Sequence, residues 1–269
     1  MFKSKNWGGG VFCGSSVLLM QLLDHFKTTK TPINEIDASG LWGCYKSGRM
    51  MDLYKMFYQI NENITVDHTK AVNISLTDLE PQFSDYNKLN FEELTPYIQK
   101  YFNLSQNVKN REIFLRQKYN ITNDMCAVMY RGNDKCTETN VPSYSDVIDR
   151  AKQFKMAHPN VKFFIQTDEH NFLQEFLKEF PDTVYIEEIP RMHKNVNTCI
   201  PYVMDQTYVL DAALYYTASI HIMSQMDYVI TTSGNGESWI AYFRGHSNGI
   251  IQYLNPLNPT EKLKSYWIN

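Results

Sequence analysis

Residues 128–138 read VMYRGNDKCTE, a hydrophobic segment that runs directly into four charged side chains, Arg131, Asp134, Lys135 and Glu138. A buried strand that carries charged groups at its carboxyl end is how α/β enzymes hold phosphorylated ligands, because the ligand crevice lies outside those strand ends. There, arginine binds phosphate through two parallel hydrogen bonds, lysine offsets negative charge, and a carboxylate accepts a proton. A surface turn of mixed charge is the alternative interpretation.

The composition bounds the class of protein. A chain of 269 residues is long enough for one large domain or two small ones. Its 43% hydrophobic and 14% aromatic residues are sufficient for a packed core. The 26 basic and 29 acidic residues leave a net charge of −3 without a basic tract, which argues against a nucleic-acid-binding protein.

The cysteines and the apolar runs bear on the cellular compartment. The five cysteines show no C-x-x-C or Cys/His ligand spacing, so structural zinc is not expected and reduced thiols in the cytoplasm are the simplest interpretation. The apolar run at residues 17–23 is too short for a transmembrane helix, so we expect no membrane segment in this chain. A lumenal location stays open if a native anchor was removed, since four glycosylation triplets begin at Asn63, Asn73, Asn103 and Asn120.

The second half of the sequence alternates strands and helices at βαβ spacing. Strands are predicted at residues 125–130, 161–166, 183–186 and 228–231. The intervening helices are predicted at residues 144–158, 171–180, 204–223 and 237–243. This pattern predicts a parallel sheet that is covered on both faces.

The first half begins with a glycine-rich loop, NWGGGVFCGSS at residues 6–16, followed by a predicted helix. Such a loop directs backbone N–H groups of Gly9 and Gly10 and a positive helix end toward an anion. A tight turn that needs positive φ angles is an equally open interpretation. Further helices are expected at residues 53–58, 91–102 and 107–118, and short strands at residues 63–75.

The predicted elements suggest a division of the chain. In the helix at residues 107–118, Val108, Ile113 and Leu115 are expected to face a core. We expect the interdomain junction close to this helix. The predicted domains are residues 1–115 and residues 116–250, and a tail at residues 251–269 is expected to pack back on the first domain.

Three loops should meet at one edge of the predicted sheet, because the carboxyl ends of parallel strands lie together. They are residues 131–138, 167–169 and 231–237. The third is a Ser/Gly-rich turn that runs into a helix, suited to wrapping phosphate with backbone amides, and its candidates are Thr232, Ser233, Gly234 and Asn235. For Thr167 and Asp168 we favour ribose or loop-capping hydrogen bonds over a metal, because no third carboxylate is nearby.

The order of three segments, MYRGNDK, FFIQTDE and IHIMSQMDYVITTSGNGESWIAY, resembles the fucosyltransferase superfamily and in particular the α1,6-fucosyltransferases. The resemblance is close over residues 128–244 and loose in the first half. It implies an α/β fold of the GT-B type, with two Rossmann-like domains whose parallel sheets face a central cleft. It also implies an inverting, metal-independent glycosyltransferase, with a nucleotide sugar as the donor substrate and no cofactor. Residues 116–250 would then bind the nucleotide sugar, and residues 1–115 would lie mainly on the acceptor side.

The resemblance assigns a role to each charged residue of the opening stretch. Arg131 matches the arginine that binds the β-phosphate of the donor and stabilises the leaving diphosphate. Lys135 matches the lysine after the family aspartate, and Asp134 matches that aspartate, which we interpret first as an orienter of the loop. Glu138 falls, after a gap of one residue, where the α1,6 enzymes carry their proposed general base.

Three departures from the family pattern put the donor base in doubt. The leading histidine of the motif is Met129, its second arginine is Gly132, and an aspartate of the third segment is replaced by Ser219. Because the family uses that histidine and that aspartate to read guanine, a UDP-sugar such as UDP-xylose becomes an alternative to GDP-fucose. Ser219 stays a candidate for donor contact.

The acceptor is expected to be an oligosaccharide or a glycoprotein. Aromatic side chains of the first half that offer stacking surfaces for sugar rings are Trp7, Trp42, Tyr45 and Tyr54, and core packing is the alternative for each. A second functional interpretation stays open, in which the altered motif marks a catalytically degenerate module of the same fold that binds a glycan or a nucleotide.

Overall fold

The computed structural model describes residues 1–46, 51–74, 76, 81–194, 198–255 and 266–269. Its helices are α1 (Val11–Thr29), α2 (Tyr54–Phe57), α3 (Phe91–Tyr101), α4 (Gln106–Tyr119), α5 (Tyr144–Ala157), α6 (His170–Glu179), α7 (Ile200–Val203), α8 (Val209–Ser224) and α9 (Asn235–Arg244). Its strands are β1 (Phe2–Lys3), β2 (Ile36–Asp37), β3 (Tyr58–Gln59), β4 (Asn103–Leu104), β5 (Cys126–Tyr130), β6 (Phe163–Thr167), β7 (Val184–Tyr185), β8 (Tyr228–Thr231), β9 (Ile250–Leu254) and β10 (Tyr266–Ile268).

The main sheet has six strands in the order β10-β9-β8-β5-β6-β7, and all neighbours are parallel except β10 and β9. The predicted strands and the parallel sheet of the second half are thereby confirmed. Tyr130 at the end of β5 is paired with Thr167 of β6, and Met129 is paired with Thr231 of β8. This register brings the three predicted ligand loops to the same edge of the sheet.

The central strand β5 is buried on both faces, and its side chains alternate between two hydrophobic clusters. Val128 and Tyr130 pack with residues of α5 and α6 on one face, while Met129 packs on the other face with residues of α1, α8 and α9. A strand that is covered on both sides requires an apolar side chain at every position, which explains the uninterrupted run before Arg131.

The first half contributes short strands to the structure. Among the described residues it contains a parallel pair, β1 with β2, and an antiparallel pair, β3 with β4. Helix α1 is the main element here, and its buried side chains share one core with Trp239 of α9. The first half therefore packs directly onto the helices that cover the main sheet.

Two local predictions for the first half are wrong. Residues 63–74 form a 3₁₀ turn at His68–Asn73 instead of strands, because the Asp67 side chain accepts a hydrogen bond from the Thr69 amide and starts the turn; Ser75 lies outside the described residues. Ile113 is 53% exposed. Val108 and Leu115, seven residues apart, define the buried face of α4, and Ile113 is rotated away from it.

Part of the predicted tail pairs with the main sheet. Strand β10 lies antiparallel to β9 at one edge, with Trp267 opposite Tyr253. Residues 256–265 of that tail lie outside the described residues. None of the helices among the described residues is both long and apolar enough to cross a lipid bilayer.

Candidate active site

A cavity of about 330 Å³ lies at the carboxyl ends of β5 and β6, where the first residues of α1 and α9 also meet. Its volume is at the lower end of the range for small-molecule sites. Many of the residues predicted from the sequence line it, namely Gly9, Gly10, Arg131, Asp134, Lys135, Glu138, Asp168 and Asn235. Most of the remaining wall is apolar and comes from the start of α1, residues 189–190, α7 and α8.

Arg131 is held by carboxylates on two sides. Its Nε donates to Asp168 Oδ2 at 2.8 Å, and its Nη2 donates to Asp134 Oδ1 at 2.8 Å. Asp168 also accepts a hydrogen bond from the Gly132 amide at 3.0 Å. Burial disfavours the charge, but the two carboxylates outweigh it and raise the pKa of Arg131 well above its ordinary value. The guanidinium is therefore permanently charged and fixed in orientation at the cavity.

Asp168 does not cap α6, the helix that follows it. The cap position of α6 is Glu169, whose side chain makes no capping hydrogen bond. The Asp168 carboxylate instead faces Arg131, and burial raises its pKa despite that partner. Asp168 thus acts as the support of Arg131 in this structure.

Asp134 has a second partner in Cys199, which lies just before α7. The thiol donates to Asp134 Oδ2 at 2.9 Å. Burial alone would raise the pKa of Asp134, but Arg131 and this thiol hold it below its ordinary value. Burial, with the neighbouring carboxylate, raises the pKa of Cys199 to about 12, so the sulfur keeps its proton near neutral pH. The Asp134 carboxylate is therefore ionised and accepts hydrogen bonds from two groups, the Arg131 guanidinium and the Cys199 thiol.

Lys135 and Glu138 form a pair at the wall of the cavity. The Lys135 amine, only 6% exposed, donates to Glu138 Oε2 at 2.7 Å and to Gln82 Oε1 at 2.7 Å. It also lies 4.8 Å from the centre of the Phe83 ring. Glu138 is more accessible, with a side chain that is 44% exposed. The lysine is therefore immobilised, whereas the carboxylate reaches the open part of the site.

A chain of hydrogen bonds connects this pair to the two helices that begin at the cavity. Gln82 Oε1 accepts a second hydrogen bond from Asn235 Nδ2 at 3.0 Å. Asn235 Oδ1 in turn accepts from the Ser16 hydroxyl at 2.9 Å, and that hydroxyl accepts from the Trp239 indole at 3.0 Å. Residues from both halves of the sequence thus fix the position of Asn235.

The amino ends of α1 and α9 both face the cavity. Gly9, Gly10 and Val11 line it at the start of α1, and Asn235 and Gly236 line it at the start of α9. A helix start carries partial positive charge and amides without partners inside the helix, and so it attracts anions. Gly9 has a φ of 123°, so the tight turn foreseen as the alternative is present, together with the approach to the cavity.

Gly132 leaves room for a buried carboxylate. A Cβ atom at this position would clash with the Glu169 carboxylate. That carboxylate accepts from the Asn133 amide at 2.8 Å and from the Tyr144 hydroxyl. At the position where the α1,6 enzymes carry their second arginine, this protein has space only for the Glu169 side chain.

Five predicted donor contacts do not line the cavity. Thr167 is buried and accepts a hydrogen bond from the Glu169 amide, and Ser219 lies inside α8, where its hydroxyl donates to the Tyr216 carbonyl. The Thr232 hydroxyl donates to Glu237, and the Ser233 hydroxyl donates to the Tyr253 carbonyl. Gly234 precedes α9 as its cap. Thr232, Ser233 and Gly234 thus belong to the loop between β8 and α9, whereas Thr167 lies in β6 and Ser219 in α8.

Several lining residues were missed by sequence reasoning. Gln82 comes from a segment that is distant in sequence, and no local pattern indicates it. Tyr216 shares one face of α8 with Val209, Ala212 and Ala213, and this i, i+3, i+4, i+7 spacing was a usable signal. Burial raises the pKa of Tyr216, so its hydroxyl is neutral in the site.

The four aromatic residues predicted to stack on sugar rings differ in their exposure to solvent. Trp42, Tyr45 and Tyr54 are buried at 0%, 7% and 3% exposure and pack in the core, although the Tyr45 ring also borders the cavity. Trp7 is 52% exposed. Among the described residues, no three His, Cys, Asp or Glu side chains come together as a metal site requires.

No protein-family model and no curated protein matches the sequence. Solved structures match in three dimensions: NodZ alpha-1,6-fucosyltransferase co-crystallized with GDP (TM-score 0.53, 13% identity), the NodZ structure soaked with GDP-fucose (0.54, 15%) and fucosyltransferase NodZ from Bradyrhizobium (0.50, 14%). Each match covers 100% of this chain and 98% of the other. At such low identity the likeness establishes the fold alone, and the chain has the α/β, GT-B fold of a fucosyltransferase.

Proposed function

We propose that this protein is an inverting glycosyltransferase that moves a sugar from a nucleoside-diphosphate donor to a hydroxyl group of an acceptor glycan, without a metal ion. The observation that carries the proposal is the position of Arg131, which two carboxylates hold at a cavity where two helices begin. The structures of the same fold that contain GDP or GDP-fucose support this class of donor.

The diphosphate of the donor would lie between Arg131 and the helix starts. The guanidinium binds phosphate oxygens with fixed geometry, and the positive ends of α1 and α9 attract the diphosphate. The Val11 amide at the start of α1 already donates to the Tyr45 hydroxyl at 3.1 Å. Negative charge grows on the diphosphate as the glycosidic bond breaks. Arg131 and Lys135, which both line the cavity, offset this charge.

Glu138 is the general base in this mechanism. The acceptor oxygen attacks the anomeric carbon, the bond to the diphosphate breaks, and the proton of the acceptor hydroxyl passes to Glu138. Asp134 is the weaker candidate, because Arg131 and Cys199 occupy its oxygens and hold its pKa low. Lys135 donates a hydrogen bond to Glu138 Oε2 and so holds the carboxylate in position.

The donor base is proposed to be guanine or uracil, with GDP-fucose and UDP-xylose as representative donors. Met129 is fully buried and Ser219 does not reach the cavity, so neither takes over the role of a base-reading side chain. A nucleobase in this cavity would meet Gln166 and the apolar wall from α7 and α8. Thermal unfolding with GDP and with UDP distinguishes the two, because only the nucleotide that binds the native state stabilises it.

The test is release of nucleotide from a panel of GDP- and UDP-sugars, first without an acceptor and then with one. We expect slow hydrolysis of one donor alone and faster release with an acceptor. A protein that binds a nucleotide but never cleaves any donor would instead be the catalytically degenerate module. Failure to bind either nucleotide would overturn the proposal in full.

Glu138→Gln tests the assignment of the base. We expect transfer to fall by about 100-fold or more while donor binding is retained, since general-base catalysis contributes about 10²–10⁴-fold. Glu179→Gln is the matched control, because Glu179 is also half-exposed and pairs with a lysine, Lys152, at 2.9 Å. Equal transfer rates in the two variants would redirect the assignment to Asp134.

A further inference from the structure

Trp7 lies exposed at the edge of the cavity. Its indole Nε1 donates to Cys13 Sγ at 3.3 Å, and a Cβ atom at Gly9 would lie 3.7 Å from the same nitrogen. Gly9 and Cys13 both line the cavity. The ring is thus anchored beside the opening by one edge, while 52% of the residue surface stays exposed.

Tyr202 is a second exposed aromatic residue at the same edge. It is 61% exposed and lies in α7, next to Ile200 and Pro201, which line the cavity. Helix α7 packs against the 3₁₀ turn at Gly43–Tyr45. The Cys44 thiol of this turn donates to the Gly9 carbonyl at 3.1 Å. Tyr202 and Trp7 therefore border one part of the cavity mouth, with Gly9 and this turn connecting them.

The size of the cavity determines which substrate can contact the Trp7 and Tyr202 rings. At about 330 Å³ it has room for one small ligand, and under the proposed function that ligand is the donor. The acceptor must then enter from the mouth. A pyranose ring has C–H groups on its faces and hydroxyls at its rim, so it stacks on an exposed aromatic ring while its hydroxyls stay hydrated or reach inward.

We propose that Trp7 and Tyr202 form the subsite that binds a pyranose ring of the acceptor glycan. The inference rests on the proposed function and extends it to the acceptor. In this proposal the two aromatic rings bind the acceptor, and the donor binds at the polar end of the cavity, where Arg131 and Lys135 lie.

The experiment measures acceptor and donor separately. Acceptors are taken from a panel of oligosaccharides that end in N-acetylglucosamine, galactose or mannose. We expect Trp7→Ala and Tyr202→Ala each to raise the acceptor KM by about tenfold, the order of one aromatic stacking contact plus its buried area. Donor hydrolysis without an acceptor should be unchanged. Tyr202→Phe should retain the acceptor KM, because the phenyl ring keeps the stacking surface.

Tyr266→Ala is the matched control, since Tyr266 is 54% exposed on the edge strand β10. An unchanged acceptor KM in both alanine variants would overturn the subsite. So would a change in oligomeric state of the variants on gel filtration, because the rings would then belong to a protein contact. The subsite is also overturned if no oligosaccharide of the panel accepts a sugar or quenches the tryptophan fluorescence of the wild-type protein. If the wild-type protein hydrolyses no donor, the proposed function is rejected instead.

Discussion

Arg131 has a structural role as well as a proposed catalytic one. In the structure its guanidinium neutralises Asp168 and Asp134. Removing it leaves two largely buried carboxylates without their shared cation, which is destabilising because buried charges need partners.

Two substitutions of Arg131 separate these roles. We expect Arg131→Ala to abolish transfer and to lower the melting temperature. Arg131→Lys keeps the charge but loses the planar, two-pronged geometry, so we expect a near-normal melting temperature and a donor affinity about 10–100-fold lower. Calorimetry and donor titration measure the two effects. Arg111→Lys is the control, because Arg111 pairs with Asp211 at the surface. Equal donor affinities in the two lysine variants would contradict the role of Arg131 in donor binding.

Gly132 offers a second prediction at the residue scale. Because the Glu169 carboxylate fills the space beside it, Gly132→Ala forces that carboxylate away from Asn133 and Tyr144. We expect a loss of about 1–3 kcal/mol in the free energy of unfolding, measured by urea denaturation.

Gly43→Ala is the control for that substitution, because nothing lies within 4 Å of a Cβ atom at Gly43. Equal stability of the two variants would show that Glu169 moves aside at no cost. By the same geometry, Gly132→Arg should not restore the family pattern, since the longer side chain meets the same obstacle.

At the scale of elements, the Ser16 hydroxyl connects α1 to α9. Ser16 of α1 accepts from the fully buried Trp239 and donates to Asn235. Ser16→Ala leaves both groups without this partner, so we expect a loss of about 1–3 kcal/mol in the free energy of unfolding and weaker donor binding. Thr28→Ala, on the exposed end of α1, is the control. An unchanged stability would mean that the two helices do not depend on this bond.

The elements differ in how far the sequence predicts them. Strands β5, β6 and β8 were located to within two residues, because an apolar run that ends in polar residues has few other interpretations. The 3₁₀ turn at His68–Asn73 was missed because one side-chain cap at Asp67 decides it. Helix α8 begins five residues later than predicted, at Val209, after the separate short helix α7.

The part of the candidate site that lies at the ends of the parallel strands could be predicted from the sequence. Arg131, Asp134, Lys135 and Asp168 could be brought together because parallel strands end at one edge. Gln82 could not, because the first half reaches the cavity through tertiary packing that leaves no local periodicity. The division into domains at residues 115 and 250 stays a prediction.

At the scale of the whole molecule, the thiols around the cavity predict instability in alkali. Unfolded thiols ionise near 9.0, whereas burial raises the pKa of Cys44 to about 11 and that of Cys199 to about 12. Above pH 9 the folded state binds more protons than the unfolded state. The contribution of these thiols to the free energy of unfolding therefore has its full value below pH 9 and decreases as the pH rises toward 11–12.

The measurement is the melting temperature under reducing conditions between pH 8 and pH 11. We expect the double variant Cys44→Ser, Cys199→Ser to lose less stability across this range than the wild type, since serine does not ionise there. Parallel curves for the two proteins would assign the alkaline transition to other groups, such as Tyr97 and Tyr101, for which burial raises the pKa to about 12.

The bond between Ser16 and Asn235 spans 219 residues of sequence, and the bond between Trp239 and Ser16 spans 223. Contacts that close such long loops form late in folding, because the chain loses much conformational entropy before they are made. On a ribosome, α1 leaves the exit tunnel long before α9 exists. Helix α1 must then wait, with its apolar face exposed, until α9 has been made, and the cavity at which both helices begin is completed only after that.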